Sequence, residues 1–251
     1  MNSHRTPGAV LATLAVALLL SACSDDPSTS DPSAAGTTTA TSPSSAGQST
    51  TSPSATVDAA GYQRLGETSR VLDPGRWAVT PAGRHGAPLA VLDVPEGLNG
   101  GAEYVWSNDG WILGYWTVGG IYVDPCTRTG GVFDHASFPD LWAEALAAQR
   151  RTTTSAPAPV TIDGYDGLHL KLTAPQDVEL DKCRQDRLTV FETTVPGDNH
   201  WIADAGVVEH YWLLDVNGQR VVLTGAVVPG TTDSQVDQLI DIVESVHFVR
   251  S

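Results

Sequence analysis

Asp198 and His200 stand two residues apart, and Asp204 and the Glu209-His210 pair follow close behind. Asp134-His135 is a second imidazole–carboxylate neighbour pair. Such pairs serve general acid–base catalysis and zinc binding. A zinc site wants three or four convergent ligands, and no H-E-x-x-H or paired Cys/His spacing exists in this chain. We therefore read no metal ligands and no cofactor. Nucleophilic catalysis has no G-x-S-x-G elbow and no S-x-x-K to stand on. Gly100-Gly101 and Gly119-Gly120 lack the lysine and the strand-to-helix context of a phosphate-cradling loop. No residue is assigned a catalytic role. The polar groups read as loop and edge-strand residues, and a triad assembled in space from dispersed residues is the alternative.

Aromatic residues offer the other candidate chemistry. Trp106, Trp111, Tyr115 and Trp116 fall within eleven residues. Flat aromatic faces bind sugar rings or partner side chains, so these four are the candidate binding surface. The competing reading is cross-strand packing in a core.

The sulfur atoms divide into one and two. Leu20-Ser21-Ala22-Cys23 closes an apolar run, Ala9 to Leu20, that follows His4 and Arg5. That is the layout of a secretory signal. The run is shorter than the ~20 apolar residues a membrane span needs, and Ser24-Asp25-Asp26 follows at once. The four residues resemble the lipobox of bacterial lipoproteins. The resemblance implies cleavage before Cys23, a diacylglycerol on its thiol, and acylation (palmitate-type chains) of the new amine. Each buried methylene adds about 0.8 kcal/mol, so two or three chains anchor firmly. It implies placement on the extracytoplasmic face of the cell membrane. Outside the cytoplasm, the remaining Cys126 and Cys183 read as a disulfide. They form no Cys-x-x-Cys, and no basic helix start is present to lower a thiol pKa.

Removing residues 1–22 takes away one Arg and leaves 13 Lys+Arg against 29 Asp+Glu, a formal −16. That acidity argues against nucleic acid and against adhesion to anionic lipid. The membrane partnership would rest on the lipid. Residues 23–60 read as a linker. Of the 37 residues Ser24 to Ala60, 18 are Ser or Thr, and no aromatic residue precedes Tyr62. Such a segment cannot offset chain entropy by burial and is expected to be disordered. Its end-to-end distance would be about 35 Å, and its Ser/Thr/Pro content also suits an O-glycosylated stalk.

Residues 61–251 carry all seven Trp and read as one globular domain. Strands are expected over Arg76 to Thr80, Leu89 to Val94, Glu103 to Ser107 and Trp111 to Val118. Gly119-Gly120 allows a bulge before Ile121 to Val123. Asn108-Asp109-Gly110 and Asn217-Gly218 are hairpin signals. Later strands are Val160 to Ile162, Gly167 to Thr173, Leu188 to Thr194, His200 to Ala203, Glu209 to Asp215, Arg220 to Val228 and Val246 to Phe248. A first helix, about 138–150, starts from Ser137 as N-cap with Pro139 in the first turn and Asp140 at N3. Its apolar stripe is Phe138, Leu141, Trp142, Ala145 and Leu146, and Gln149-Arg150-Arg151 closes it. A second, about 233–245, opens on a Thr232–Gln235 capping box. The fold class is α+β, a mainly antiparallel sheet with two segregated helices packed on one face.

Several turns resemble those of uncharacterised actinobacterial extracytoplasmic domains. They are Leu72-Asp73-Pro74-Gly75-Arg76-Trp77, Val94-Pro95-Glu96-Gly97, Asp124-Pro125-Cys126, Ala158-Pro159-Val160, Ile162-Asp163-Gly164, Pro175, Cys183, Asp215-Val216-Asn217-Gly218 and Val243 to Phe248. More remotely the layout is similar to PsbP-like domains, mycobacterial lipoproteins among them. The resemblance implies a non-catalytic binding or accessory role, toward an envelope protein or a small ligand. The alternative is a cell-envelope hydrolase with dispersed catalytic residues. Replacing Cys23 by Ser is expected to abolish incorporation of a fatty-acid analogue and to release the protein from membranes. Labelled, membrane-bound Cys23→Ser protein would refute the lipid anchor.

Overall fold

The computed structural model describes residues 61–83, 86–108, 110–132 and 138–249, all within the second of the chain's two units, Thr51–Ser251. Cys23, the linker, Asp134-His135 and Ser137 lie outside the described residues. In chain order the strands are β1 (Gln63–Arg64), β2 (Arg70–Val71), β3 (Gly75–Val79), β4 (Leu89–Val94), β5 (Asn99–Gly101), β6 (Tyr104–Trp106), β7 (Trp111–Asp124) and β8 (Thr129–Val132). Helix α1 (Asp140–Ala147) follows, then β9 (Thr153–Thr154), β10 (Ala158–Ile162), β11 (Tyr165–Thr173), β12 (Leu188–Thr193), β13 (Asn199–Ile202), β14 (Val208–Val216) and β15 (Gln219–Val227). Helix α2 (Asp233–Glu244) and β16 (His247–Val249) close the chain. The class is α+β on a mainly antiparallel sheet, with two α-helices among the described residues.

The larger sheet runs β10-β11-β14-β15-β7-β6-β5-β2, and its successive neighbours are antiparallel. A smaller sheet, β1-β3-β4-β16, has one parallel pair, β1 with β3. Strand β7 is long enough to change partners along its length. Its first half pairs β15, and its second half pairs β12 and β8. The change falls at Gly119. Thr193 opposes Val118 and Glu192 opposes Gly120, so Gly119 is the extra residue of a bulge. A Cβ there would meet the Thr193 carbonyl oxygen at 2.4 Å, which is why glycine is required.

Both faces of the larger sheet are covered, one helix to each. Tyr211 and Leu213 of β14 pack with Trp142 and Leu146 of α1. Their neighbours Trp212, Leu214 and Val216 pack with Leu239, Ile242 and Val243 of α2, and with Trp77 and Leu92 of the smaller sheet. This corrects the expectation that both helices share one face. The signal was the unbroken apolar run Tyr211-Trp212-Leu213-Leu214, which fits a strand buried on both sides.

Helix α2 opens on its capping box. Gln235 N donates to Thr232 Oγ1 at 3.4 Å, and Thr232 N to Gln235 Oε1 at 2.8 Å. Helix α1 is shorter than expected. Its N-cap is Pro139, so Asp140 is the first helical residue. A residue before proline is pushed out of the α region, which sets Phe138 outside the helix. The other end stops at Ala147, because Gln149 is drawn into the sheet. Its Nε2 donates to the Tyr122 and Val190 carbonyls, each at 2.8 Å, bridging β7 and β12.

Cys126 and Cys183 form the disulfide, with Cα atoms 4.5 Å apart. It ties the turn after β7 to the 3-10 segments Leu180–Lys182 and Arg184–Asp186. Asp124 Oδ1 fixes that turn by accepting from Cys126 N at 3.1 Å and Thr127 N at 3.2 Å. The bridge closes a sequence separation of 57. Replacing both cysteines by serine is therefore expected to lower the unfolding free energy by about 4 kcal/mol in the chain-entropy view. Urea midpoints measure this. An unchanged midpoint, or two free thiols in the native protein, would refute the clamp.

Candidate functional site

A cavity of about 500 Å³ opens on the α1-side face of the larger sheet. Strand register builds it. Directly opposed residues of neighbouring strands share a face. Glu209 opposes Ala226, Ala226 opposes Ile112, and Ile112 opposes Trp106, which makes one row across four strands. The next row is Tyr211, Thr224, Gly114 and Tyr104. The walls are Tyr104, Trp106, Ile112 and Ala226 from these rows, with His200 and Trp201 from β13. Glu67, Ser69, Gly101 and Ala102 complete the lining.

Glu209 of the lining is only 2% exposed and takes two donors. His200 Nε2 donates to its two carboxylate oxygens at 2.9 and 3.0 Å, and the Tyr211 hydroxyl donates to Oε2. Burial, reinforced by the Glu209 charge and this bond, raises the Tyr211 phenol well above its ordinary range. Aromatic rings hold the imidazole in place. Phe191 stacks on it with centroids 4.9 Å apart, and Trp116 lies at 4.8 Å. Trp116 is itself fixed by donating Nε1–H to Thr224 Oγ1 at 2.9 Å. A carboxylate, an oriented imidazole and a phenol thus sit beneath an apolar chamber. No hydroxyl or thiol among the described residues hydrogen-bonds to His200.

The four aromatic candidates separate. Trp111, Tyr115 and Trp116 are buried, which corrects their reading as a binding surface. They face two different cores, as odd and even residues of β7 must. Trp106 alone reaches the cavity. The polar candidates separate too. His200 and Glu209 come together, whereas the Asp198 carboxylate accepts from Thr193 Oγ1 at 3.0 Å and Asp204 is exposed. His210, one residue from Glu209, points to the opposite sheet face. Its Nδ1 lies 3.1 Å from His169 Nε2, and both rings stack on Trp212. Among the described residues, no group of three or more His, Cys, Asp or Glu could hold a metal ion. Sequence reasoning missed Tyr104, Trp201 and Tyr211. Strand alternation was the signal that could have put Tyr211 and Glu209 on one face, since they stand two apart in the expected strand Glu209 to Asp215.

The fold and cavity define a disulfide-clamped α+β domain with an aromatic-walled chamber. No protein-family model matches the chain, and no curated protein matches it. Among solved structures, a crystal structure from Bacteroides thetaiotaomicron VPI-5482 is similar over 67% of this chain and 50% of its own, at 9% identity and a TM-score of 0.31. The chain spans about half the length of that protein, and a likeness at this level carries no argument.

Burial, the neighbouring His169 and Lys171 push the His210 pKa down to about 4. An unfolded histidine titrates near 6.5, so between these values only the unfolded chain takes up the proton. Stability is therefore expected to fall as pH drops from about 6.5 to about 4. The excess of wild-type over His210→Gln unfolding free energy should shrink across that window. A constant difference would refute the assignment.

Proposed function

We propose that this chain is a lipid-anchored extracytoplasmic protein whose folded domain binds a small ligand in the cavity of Glu209 and His200. The observation that carries the reading is the chamber itself: mostly apolar walls over a few buried, fully oriented polar groups. Ligand sites have that composition and span about 300–1,000 Å³. The lipid anchor rests on the lipobox resemblance of Leu20 to Cys23, and the linker of residues 23–60 would hold the domain off the bilayer. Among the described residues, no helix is long and apolar enough to cross a membrane.

The second reading, a cell-envelope hydrolase, is favoured by the converged His200 and Glu209. Among the described residues no hydroxyl or thiol is held by the imidazole as a nucleophile would be. Native mass spectrometry of the protein extracted from its membrane separates the two. Wild-type protein is expected to retain a small molecule that the cavity-filling variant Ala226→Trp has lost. Empty wild-type protein, together with ester turnover that His200→Ala abolishes, would replace binding by hydrolysis.

A further inference from the structure

We propose that the ligand of this cavity is an organic cation, an ammonium or guanidinium group carried on an apolar body. The inference rests on the cavity being the ligand site. Tyr104, Trp106 and Trp201 give the chamber three aromatic walls, and among the described residues no lysine or arginine lines it. Aromatic faces attract cations through the ring quadrupole. One instance is already built in: Arg187 Cζ, outside the lining, lies 4.5 Å from the Trp201 centroid.

The carboxylates point the same way. Glu67 and Glu209 line the cavity. Glu103 and Asp198 stand close enough that, with Glu209, their charges act on Tyr104. Glu209 is satisfied by His200 and Tyr211. Glu67, Glu103 and Asp198 form no ion pair among the described residues. Burial, against a backbone hydrogen bond, lifts the Glu103 carboxyl above its usual range, and Asp198 and Glu67 add to the lift. Among the described residues these like charges have no ion-pair partner. An anion would meet them as repulsion. A neutral apolar ligand would strip their water and return nothing. A cation is stabilised by both the rings and the charges, in a partly water-excluded site where Coulomb forces exceed those in bulk water. The formal net charge of −15 steers cations toward the domain.

Free amines and the basic side chains of a peptide share this chemistry. The full chain is titrated with benzyltrimethylammonium, with its uncharged isostere neopentylbenzene and with phenylacetate, read by tryptophan fluorescence. The cation is expected to bind at least about tenfold more tightly than the isostere, and phenylacetate least. Salt at about 0.5 M should weaken the cation severalfold. Glu67→Gln and Asp198→Asn should each weaken it about threefold or more with unchanged melting temperatures, and Trp106→Ala should weaken the cation more than the isostere. Acetyl-lysine-methylamide binding as tightly as benzyltrimethylammonium would identify a peptide side chain as the source, and weaker binding a free amine. Equal affinity for cation and isostere, or preference for phenylacetate, overturns the cationic assignment and leaves the cavity a ligand site. Binding of none of these probes overturns both.

Discussion

Strand alternation in β14, locked by β11 on one side and β15 on the other, is the constraint on which the rest depends. Each residue of this strand belongs to one of two chambers. Glu209, Tyr211 and Leu213 face the cavity and the α1 core, while His210, Trp212 and Leu214 face α2 and the smaller sheet. A slip of one residue would put a carboxylate into the α2 core and a tryptophan under the cavity. Seven cross-strand pairs with β11 and nine with β15 hold the register. Two-sided burial thus makes the strand intolerant of error and gives the site its fixed floor.

That floor contains an expensive feature. Burying a carboxylate costs several kcal/mol unless donors surround it. Glu209 is supplied with two, and both are rigid. The His200 ring is held by Phe191 and Trp116, and the Tyr211 ring shares the strand with its acceptor. An apolar pair of the same volume would generally serve folding as well or better. Stability alone therefore does not account for a charged group that lines a ligand-sized chamber, which is why the cavity and not the core carries the functional reading.

Local patterns were legible in the sequence, and compartments were not. The β14–β15 hairpin, the Gly119 bulge, the Thr232–Gln235 cap and the cysteine pair are each written within a few residues, by turn chemistry, sterics or count. The helix stripes also declared themselves, although Pro139 and Gln149 trimmed α1 from both ends. What the sequence concealed was the second covered face, which decides that Trp111, Tyr115 and Trp116 are core while Trp106 is wall. His200 and Glu209 stood out as suspects, yet their neighbours Asp204 and His210 looked equally apt. Only the path of β13 across the sheet, a long-range fact, chooses among them.

The rim of the cavity shows what the glycine pair does in place of cradling a phosphate. The role of Gly100-Gly101 is close approach. A Cβ on Gly101 would stand 3.0 Å from Ser69 N and Cα, and one on Gly100 would stand 2.8 Å from Leu72 Cδ1. With both side chains absent, residues 65–72 settle directly on the strand, and Ala102 N reaches Gly66 O at 2.7 Å. This contact lays Glu67 and Ser69 along the mouth of the chamber. A phosphate loop uses glycine to turn backbone N–H groups toward an anion. Here the glycines bring a carboxylate to the edge of an aromatic cavity, so the same residue type serves the opposite sign of charge at the site.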